Sequence, residues 1–341
     1  MNRALVLGIE SSCDDTAAAV VADGREALSS VVRSQVEEHA AWGGVVPEVA
    51  GRGHLRDLVP TVERALAEAD VTPADLDAVA VTLRPGLLGS LLLGATTAKT
   101  LAWAWDLPLV GVDHVRAHAW SALVGAEDVH PPCIALVASG GHTSLYRVDS
   151  ALEHRRLGAT RDDAAGEALD KAAAMLGLGY PGGPVIQEVG AAGDPKAFRF
   201  KLPLLDPDSL DFSFSGLKTA LLYTLHGPGG RRGDAWRVPR ERLADLCASF
   251  EAAVAETLSR KCIRAAEREG LDTVVVGGGV ACNARLRHTL TAAGERAGLR
   301  VRFPPPAWCT DNAVMIAALG HELWRAGEVV GLDAPVLARG E

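Results

Sequence analysis

Ala4-Leu-Val-Leu-Gly-Ile-Glu-Ser-Ser-Cys-Asp-Asp-Thr-Ala-Ala-Ala-Val-Val-Ala-Asp23 reads as one unit: an apolar strand over residues 4–9, a polar turn from Glu10 to Asp15, and a returning apolar strand over Thr16–Val21. The outline returns at Cys133-Ile-Ala-Leu-Val-Ala-Ser-Gly-Gly-His-Thr-Ser-Leu-Tyr-Arg-Val-Asp149, with a strand over 133–138, a turn at Ser139–His142 and a second strand from Thr143. Short apolar runs bounded by turn residues are the mark of buried strands. The chain starts its fold twice. Any two hairpins of an α/β protein share this outline, so the repeat needs support from the segments downstream of each hairpin.

Those segments also repeat. After the first hairpin, Leu55, Leu58, Val59, Val62 and Leu66 keep helical spacing with Pro60 as a kink, and Ala78–Thr82 reads as a buried strand. The Gly-rich stretch Pro85–Gly94 then opens an apolar helix reaching about Trp105, and a strand occupies 108–112. After the second hairpin come a helix over 162–176, a turn at Tyr180–Pro184, a helix through Ser213–Leu222 and a long helix over about 239–269. A strand at 272–276, a helix after Asn283, a strand at 300–303 and a helix through Ala326 complete the chain. A duplicated α/β unit of this kind is the plan of the actin, Hsp70 and sugar-kinase-like (ASKHA) proteins: two RNase H-like domains facing a cleft, with hairpin turns that hold phosphates on backbone N–H groups. At roughly 150 residues per domain, 341 residues give about two. We expect one domain over 1–125, with 313–341 packing back on it, and the other over 130–312.

Composition narrows the class. Apolar residues make up 48% and charged residues 23%, and no apolar run approaches the ~18 residues of a membrane span. The run Ala4–Ile9 stops at Glu10, too short for a signal-peptide core, so a cytoplasmic protein without membrane association is expected. Cysteines 13, 133, 247, 262, 282 and 309 form no Cys-x-x-Cys pair, which speaks against a zinc knuckle and a disulfide framework. A net charge of −9 attracts no polyanion, so nucleic acid would have to meet a local patch. One candidate is His226–Arg242, where Arg231, Arg232, Arg237, Arg240 and Arg242 surround Trp236; the alternative is a solvated insertion.

The candidate chemistry begins where the 108–112 strand ends. His114 and His118 stand four residues apart at the start of a helix, so both rings share a face, with Cβ atoms roughly 5–6 Å apart. Neutral imidazole is the commonest metal ligand, and strand C-termini are where α/β sheets place ligands. The alternative has His114 capping the helix and His118 as a surface histidine. Asp311, at another strand-to-helix junction, can complete a metal site or serve as an N-cap. Gly277-Gly-Gly-Val280 lets a nucleotide approach backbone, and Asn283 can hydrogen-bond it, although the spacing is not Gly-x-Gly-x-x-Gly.

Taken in order, Gly8-Ile-Glu-Ser-Ser-Cys-Asp-Asp-Thr16, Val46-Pro-Glu48, His114-x-x-x-His118, Ser139-Gly-Gly-His-Thr143, Asp162-Asp-Ala-Ala-Gly-Glu-Ala-Leu-Asp-Lys171, Tyr180-Pro-Gly-Gly-Pro184, Phe212-Ser-Phe-Ser-Gly-Leu-Lys218, Gly277-Gly-Gly-Val280 and Cys309-Thr-Asp-Asn312 resemble the TsaD family over residues 4 to about 326. These are the tRNA N6-adenosine threonylcarbamoyltransferases, once described as O-sialoglycoprotein endopeptidases. The resemblance implies one divalent ion, Fe(II) before Zn(II), on His114, His118 and Asp311. It implies threonylcarbamoyl-AMP bound by Val137, Ala138, Ser139, Gly140, Gly141, Asp170, Gly183 and Asn283. The group would pass to N6 of the adenosine beside the anticodon in tRNAs that read codons starting with A. Implied partners are the tRNA anticodon loop, a TsaB-like paralogue and a TsaE-like ATPase; a TsaC-type enzyme makes the adenylate.

Three positions depart from the family's pattern: Arg84 in Thr82-Leu-Arg-Pro-Gly-Leu87 for a glycine, Gly53 in Ala50-Gly-Arg-Gly-His54 for an aspartate, and Gln187 where many relatives carry an acid. A metalloprotease fits poorly, because a zincin needs His-Glu-x-x-His and Val115 follows His114. A non-catalytic scaffold paralogue that binds tRNA is the other alternative, and retention of His114, His118 and Asp311 together argues against it.

Overall fold

Both hairpins form, and each seeds its own sheet. The computed structural model describes residues 3–126, 128–202, 208–229 and 235–339. In the first sheet β1 (Leu5–Glu10) pairs antiparallel with β2 (Asp15–Ala22), and β3 (Glu26–Ala27) and β4 (Val31–Ser34) both pair with β2. After α1 (Val36–Ala40) and α2 (Pro47–Glu68), β5 (Ala78–Arg84) lies parallel to β1. Helix α3 (Leu88–Trp105) leads to β6 (Leu109–Asp113), parallel to β5, and β6 runs directly into α4 (His114–Ser121).

The second sheet starts with the antiparallel pair β7 (Cys133–Ala138) and β8 (Thr143–Val148), with β9 (His154–Ala159) beyond β8. Helices α5 (Ala165–Leu176), α6 (Gly182–Gly190), α7 (Ser215–His226) and α8 (Leu243–Glu269) come next. Strand β10 (Thr273–Gly277) lies parallel to β7, and after α9 (Ala284–Ala297) β11 (Arg300–Arg302) lies parallel to β10; α10 (Ala313–Arg325) comes last. The orders β3-β2-β1-β5-β6 and β9-β8-β7-β10-β11 are therefore one plan built twice. The chain divides into a first unit (Met1–His130, Asp149–His154 and Pro304–Glu341) and a second (Pro131–Val148 and Arg155–Phe303).

In the first unit the period-2 alternation of the strands feeds two cores. Val6, Ala17, Ala19, Val21, Ala78 and Ala80 pack with Ala313–Leu319 of α10, while Leu7, Ile9, Ala18, Val20, Val79 and Val81 pack with α2 and α3. A sheet covered on both faces needs apolar residues in both registers, which is why these strands read as continuous apolar runs. Gly8 sets how close α10 comes: a Cβ there would lie 2.4 Å from the Ala313 carbonyl oxygen.

Some expectations change. Helix α2 continues through Pro60, and Leu55 and Val59 face solvent, 73% and 56% exposed, while Leu58 and Val62 take the core. The turn expected at Tyr180–Pro184 passes into α6 at Gly182. Strands β3, β4 and β9 and helix α1 were not anticipated; they are short and largely polar, which leaves periodicity little to act on. No described helix is long and apolar enough to cross a membrane.

Candidate functional site

The residues that open the two helices of the metal motif decide between cap and ligand. Asp113 is the N-cap of α4, its Oδ1 accepting from the Val115 and Arg116 amides at 3.0 and 3.1 Å. Asn312 is the N-cap of α10, its Oδ1 accepting from Met315 N at 3.0 Å. The neighbour of each candidate ligand does the capping, so His114 and Asp311 are spared it. His114 and His118 are buried, with ring centroids 4.6 Å apart and planes nearly perpendicular. Asp311 Oδ1 lies 3.1 Å from His118 Nε2 and 3.5 Å from His114 Nε2. Three donor atoms, one from each residue, fall within 4.8 Å of one another.

Sequence reading missed the residue that orients His114. Glu10, at the end of β1 and fully buried, receives His114 Nδ1 at 3.1 Å, Thr82 Oγ1 at 2.5 Å and Ser12 N at 2.5 Å. Its signal was a carboxylate at the tip of a buried strand, a position where an ionised group survives only with partners. Burial works against its charge, and the His114 ring outweighs it, holding Glu10 below the usual carboxylate range. Burial also opposes a charged His114, yet the Asp311 and Glu10 carboxylates push that ring up to about 9; burial and the neighbouring His114 push His118 down. Two carboxylates around two imidazoles thus leave a site short of positive charge.

That deficit fits a divalent cation. Metal–ligand bonds of about 2.1 Å put neighbouring donor atoms roughly 3.0–3.4 Å apart, against the 3.1 and 3.5 Å separations from Asp311 Oδ1 to the two Nε2 atoms. The Glu10 contact to Nδ1 is the carboxylate–histidine arrangement that fixes a ligand's tautomer and raises its basicity. His118 Nδ1 has no such support among the described residues.

The remaining predicted residues belong to the second unit. Val137 and Ala138 are buried at the end of β7. Ser139 N donates to His142 O at 2.8 Å, and Ser139 Oγ accepts from His142 N at 3.1 Å, closing the turn. A Cβ on Gly140 or Gly141 would meet nothing within 4 Å, so this backbone lies open. Helix α5 is pressed onto the turn at Gly166, where a Cβ would lie 2.7 Å from Ser139 O. Asp170 accepts from Gly182 N at 2.7 Å at the start of α6, next to Gly183; burial pushes its carboxyl up despite the Gly182 and Gly183 amides. Asn283 is the N-cap of α9, with Oδ1 accepting from Leu286 N at 2.9 Å and Nδ2 donating to buried Glu251 at 2.7 Å. The recess beside Asn283 and Glu251, lined by Leu169, Val254, Val280 and Leu286, is too tight to admit even a water molecule.

Each departure from the family pattern has a local partner. Arg84 Nε lies 3.4 Å from Asp113 Oδ2, beside a register shift between β5 and β6. Buried Gln35 packs where a side chain at position 53 would go, 2.4 Å from a Cβ built there. Gln187 Oε1 accepts from Ala284 N at 2.7 Å, at the foot of α9. Of the arginine segment, Arg231 and Arg232 lie outside the described residues.

A family model described as TsaD, tRNA N6-adenosine threonylcarbamoyltransferase, matches residues 26–318. Curated relatives carry the same name. The one from Sorangium cellulosum is 52% identical over 341 residues, covering 96% of this chain and 94% of its own. The one from Trichlorobacter lovleyi is 51% identical over 327 residues, covering 95% and 92%. Among solved structures, HypF from T. kodakarensis is similar with a TM-score of 0.64 at 16% identity, over 96% of this chain and 48% of that one. Component A of the (R)-2-hydroxyglutaryl-CoA dehydratase of Acidaminococcus fermentans gives 0.53 at 17%, over 93% and 98%. At such identities the likeness concerns the fold, which is the ASKHA fold with its sheet plan built twice. Sharing about half of all residues along nearly the whole length goes well beyond a common fold, and the chain belongs to the TsaD family of tRNA N6-adenosine threonylcarbamoyltransferases.

Proposed function

We propose that this chain is an acyltransferase that moves the threonylcarbamoyl group from threonylcarbamoyl-AMP to N6 of the adenosine beside the anticodon in tRNAs reading codons that begin with A. The observation that carries the reading is near-full-length identity of about half to relatives of that name. The group of buried His114 and His118 with half-buried Asp311 supports it. Those three side chains would hold one divalent ion, Fe(II) before Zn(II), which supplies Lewis-acid polarisation of the donor's carbonyl. Glu10 keeps the His114 Nδ1 proton in place so that Nε2 faces Asp311.

In the second unit, Val137 and Ala138 end the strand that leads into the turn closed by Ser139, whose Gly140 and Gly141 amides would face the donor, as backbone N–H groups bind anions elsewhere. Asp170 orients the Gly182–Gly183 amides. Asn283 Oδ1, already accepting one N–H, retains a lone pair for a ribose hydroxyl. An exocyclic adenine amine is a weak nucleophile and AMP a good leaving group, so positioning is the larger part of the enzyme's task. A TsaB-like paralogue, a TsaE-like ATPase and the cytoplasm complete the proposal.

The test is transfer from labelled threonylcarbamoyl-AMP to unmodified tRNA with the partner proteins present. Label in the modified nucleoside after nuclease digestion is expected; label released only as free threonine overturns the assignment.

A further inference from the structure

Among the sequence features that the proposed reaction does not use is the arginine segment, and its described part is an organised surface. Arg240 sits over Trp236, its Cζ 3.6 Å from the ring centroid. Arg242 stacks on Phe198 at 4.9 Å and pairs with Asp245 Oδ2 at 2.5 Å. The Arg237 side chain packs against the backbone at Gly227, where a Cβ would lie 2.3 Å from its Cζ, and Arg237 N donates to Leu225 O at 2.6 Å. The strip carrying Phe198 is bound to α8: Asp194 N donates to Asp245 Oδ1 at 2.9 Å and Phe198 N to Ser249 Oγ at 3.1 Å. That strip brings exposed Lys196 and Arg199 beside Arg242.

The surface runs against the charge of the chain. The whole sequence has 43 acidic and 34 basic residues, whereas within the described segments 194–199 and 235–245 Lys196, Arg199, Arg237, Arg240 and Arg242 stand beside Asp194, Glu241 and the already engaged Asp245. A guanidinium held against a ring keeps its edge N–H groups free to fork onto phosphate, and fixing it beforehand lowers the ordering cost of binding. Arginine stacked on aromatics within a cationic strip is the chemistry of single-stranded nucleic acid recognition.

We propose that Arg199, Arg237, Arg240 and Arg242, set around Phe198 and Trp236, form a surface of the second unit that grips the phosphate backbone of the tRNA. This rests on the proposed function for the identity of the RNA and adds where the chain holds it. Arg231 and Arg232 are not needed for it.

The test is binding of fluorescent unmodified tRNA to the purified full chain by anisotropy, titrated from about 50 to about 200 mM salt. Arg199→Ala/Arg237→Ala/Arg240→Ala should weaken binding about tenfold at low salt and make the slope of log K against log salt less negative by about 2, since each phosphate contact contributes roughly 0.7 to 0.9. The corresponding triple lysine variant should keep the wild-type slope, which separates lost charge from lost fold. Wild-type affinity and slope in the alanine variant overturn the proposal, as does absence of tRNA binding by wild type. Competition by polyglutamate as strong as that by tRNA overturns it in favour of an acidic protein partner. In the transfer assay the alanine variant should raise KM for tRNA and leave kcat; an unchanged KM refutes this surface alone, whereas no transfer by wild type refutes the proposed function.

Discussion

The two hairpin turns occupy the same place in two copies of one sheet plan and have become chemically opposite. After β1 the turn is made of buried side chains: Glu10, Ser11 and Ser12 are all inaccessible, and Glu10 and Ser12 both contact His114 Nδ1. After β7 the turn is made of backbone, with Gly140 and Gly141 facing open space. Duplication kept the strand order while the chemistry of each turn diverged, one copy suited to ordering a ligand side chain and the other to offering amides to an anion.

The largest effect that can break this comparison is loss of a ligand on the first side. His118→Ala or Asp311→Ala should leave the fold intact and abolish bound metal, cutting transfer by about a thousandfold or more. Metal analysis after dialysis checks it, and full occupancy in both variants would show that the centre lies elsewhere. Next comes Glu10→Gln, which removes the charge behind His114; metal affinity should drop by about 10- to 100-fold, read by chelator competition.

The matching test on the second side is Gly166→Ala. Its methyl would collide with Ser139 O, so the turn must shift, at a cost of about 1–3 kcal/mol. AMP should protect wild type against thermal unfolding in a concentration-dependent way, and this variant much less, with metal content unchanged. Equal protection of both would remove the adenylate from this turn.

The smallest expected effect concerns how α4 is backed. His154 stacks on Trp120, ring centroids 6.4 Å apart. Burial, then Arg116, push His154 down to about 4 from its ordinary 6.5. A depressed imidazole is neutral in the fold, so the unfolded chain takes up the proton first. Stability is unaffected by this group above about pH 6.5 and falls by up to about 1.4 kcal/mol per unit as pH drops toward 4. Replacing it in His154→Phe should flatten that limb of a denaturation-against-pH profile.

How much of this the sequence could show depends on the range of each interaction. The hairpins, the strand order they imply and the His114–His118 spacing are local patterns, and the helical period alone puts both rings on one face. The choice between cap and ligand was not readable, because Asp113 beside His114, and Asp311 beside Asn312, set capping-competent residues next to each other. Only the backbone register selects among them. Glu10 escaped notice because its partner is 104 residues away and meets it through the pairing of β1 with β5 and β5 with β6. The glycine-rich turn was legible as a motif, but the close approach of α5 to it at Gly166 was not, because that contact joins separate stretches of the chain.

Single-turnover transfer and bound-metal stoichiometry, measured on the same samples of wild type and Asp311→Asn, test most directly whether this chain transfers threonylcarbamoyl with an ion on His114, His118 and Asp311. Wild type should give one ion per chain and labelled tRNA, and the variant neither. Wild-type yields of modified tRNA from metal-free Asp311→Asn would contradict that assignment.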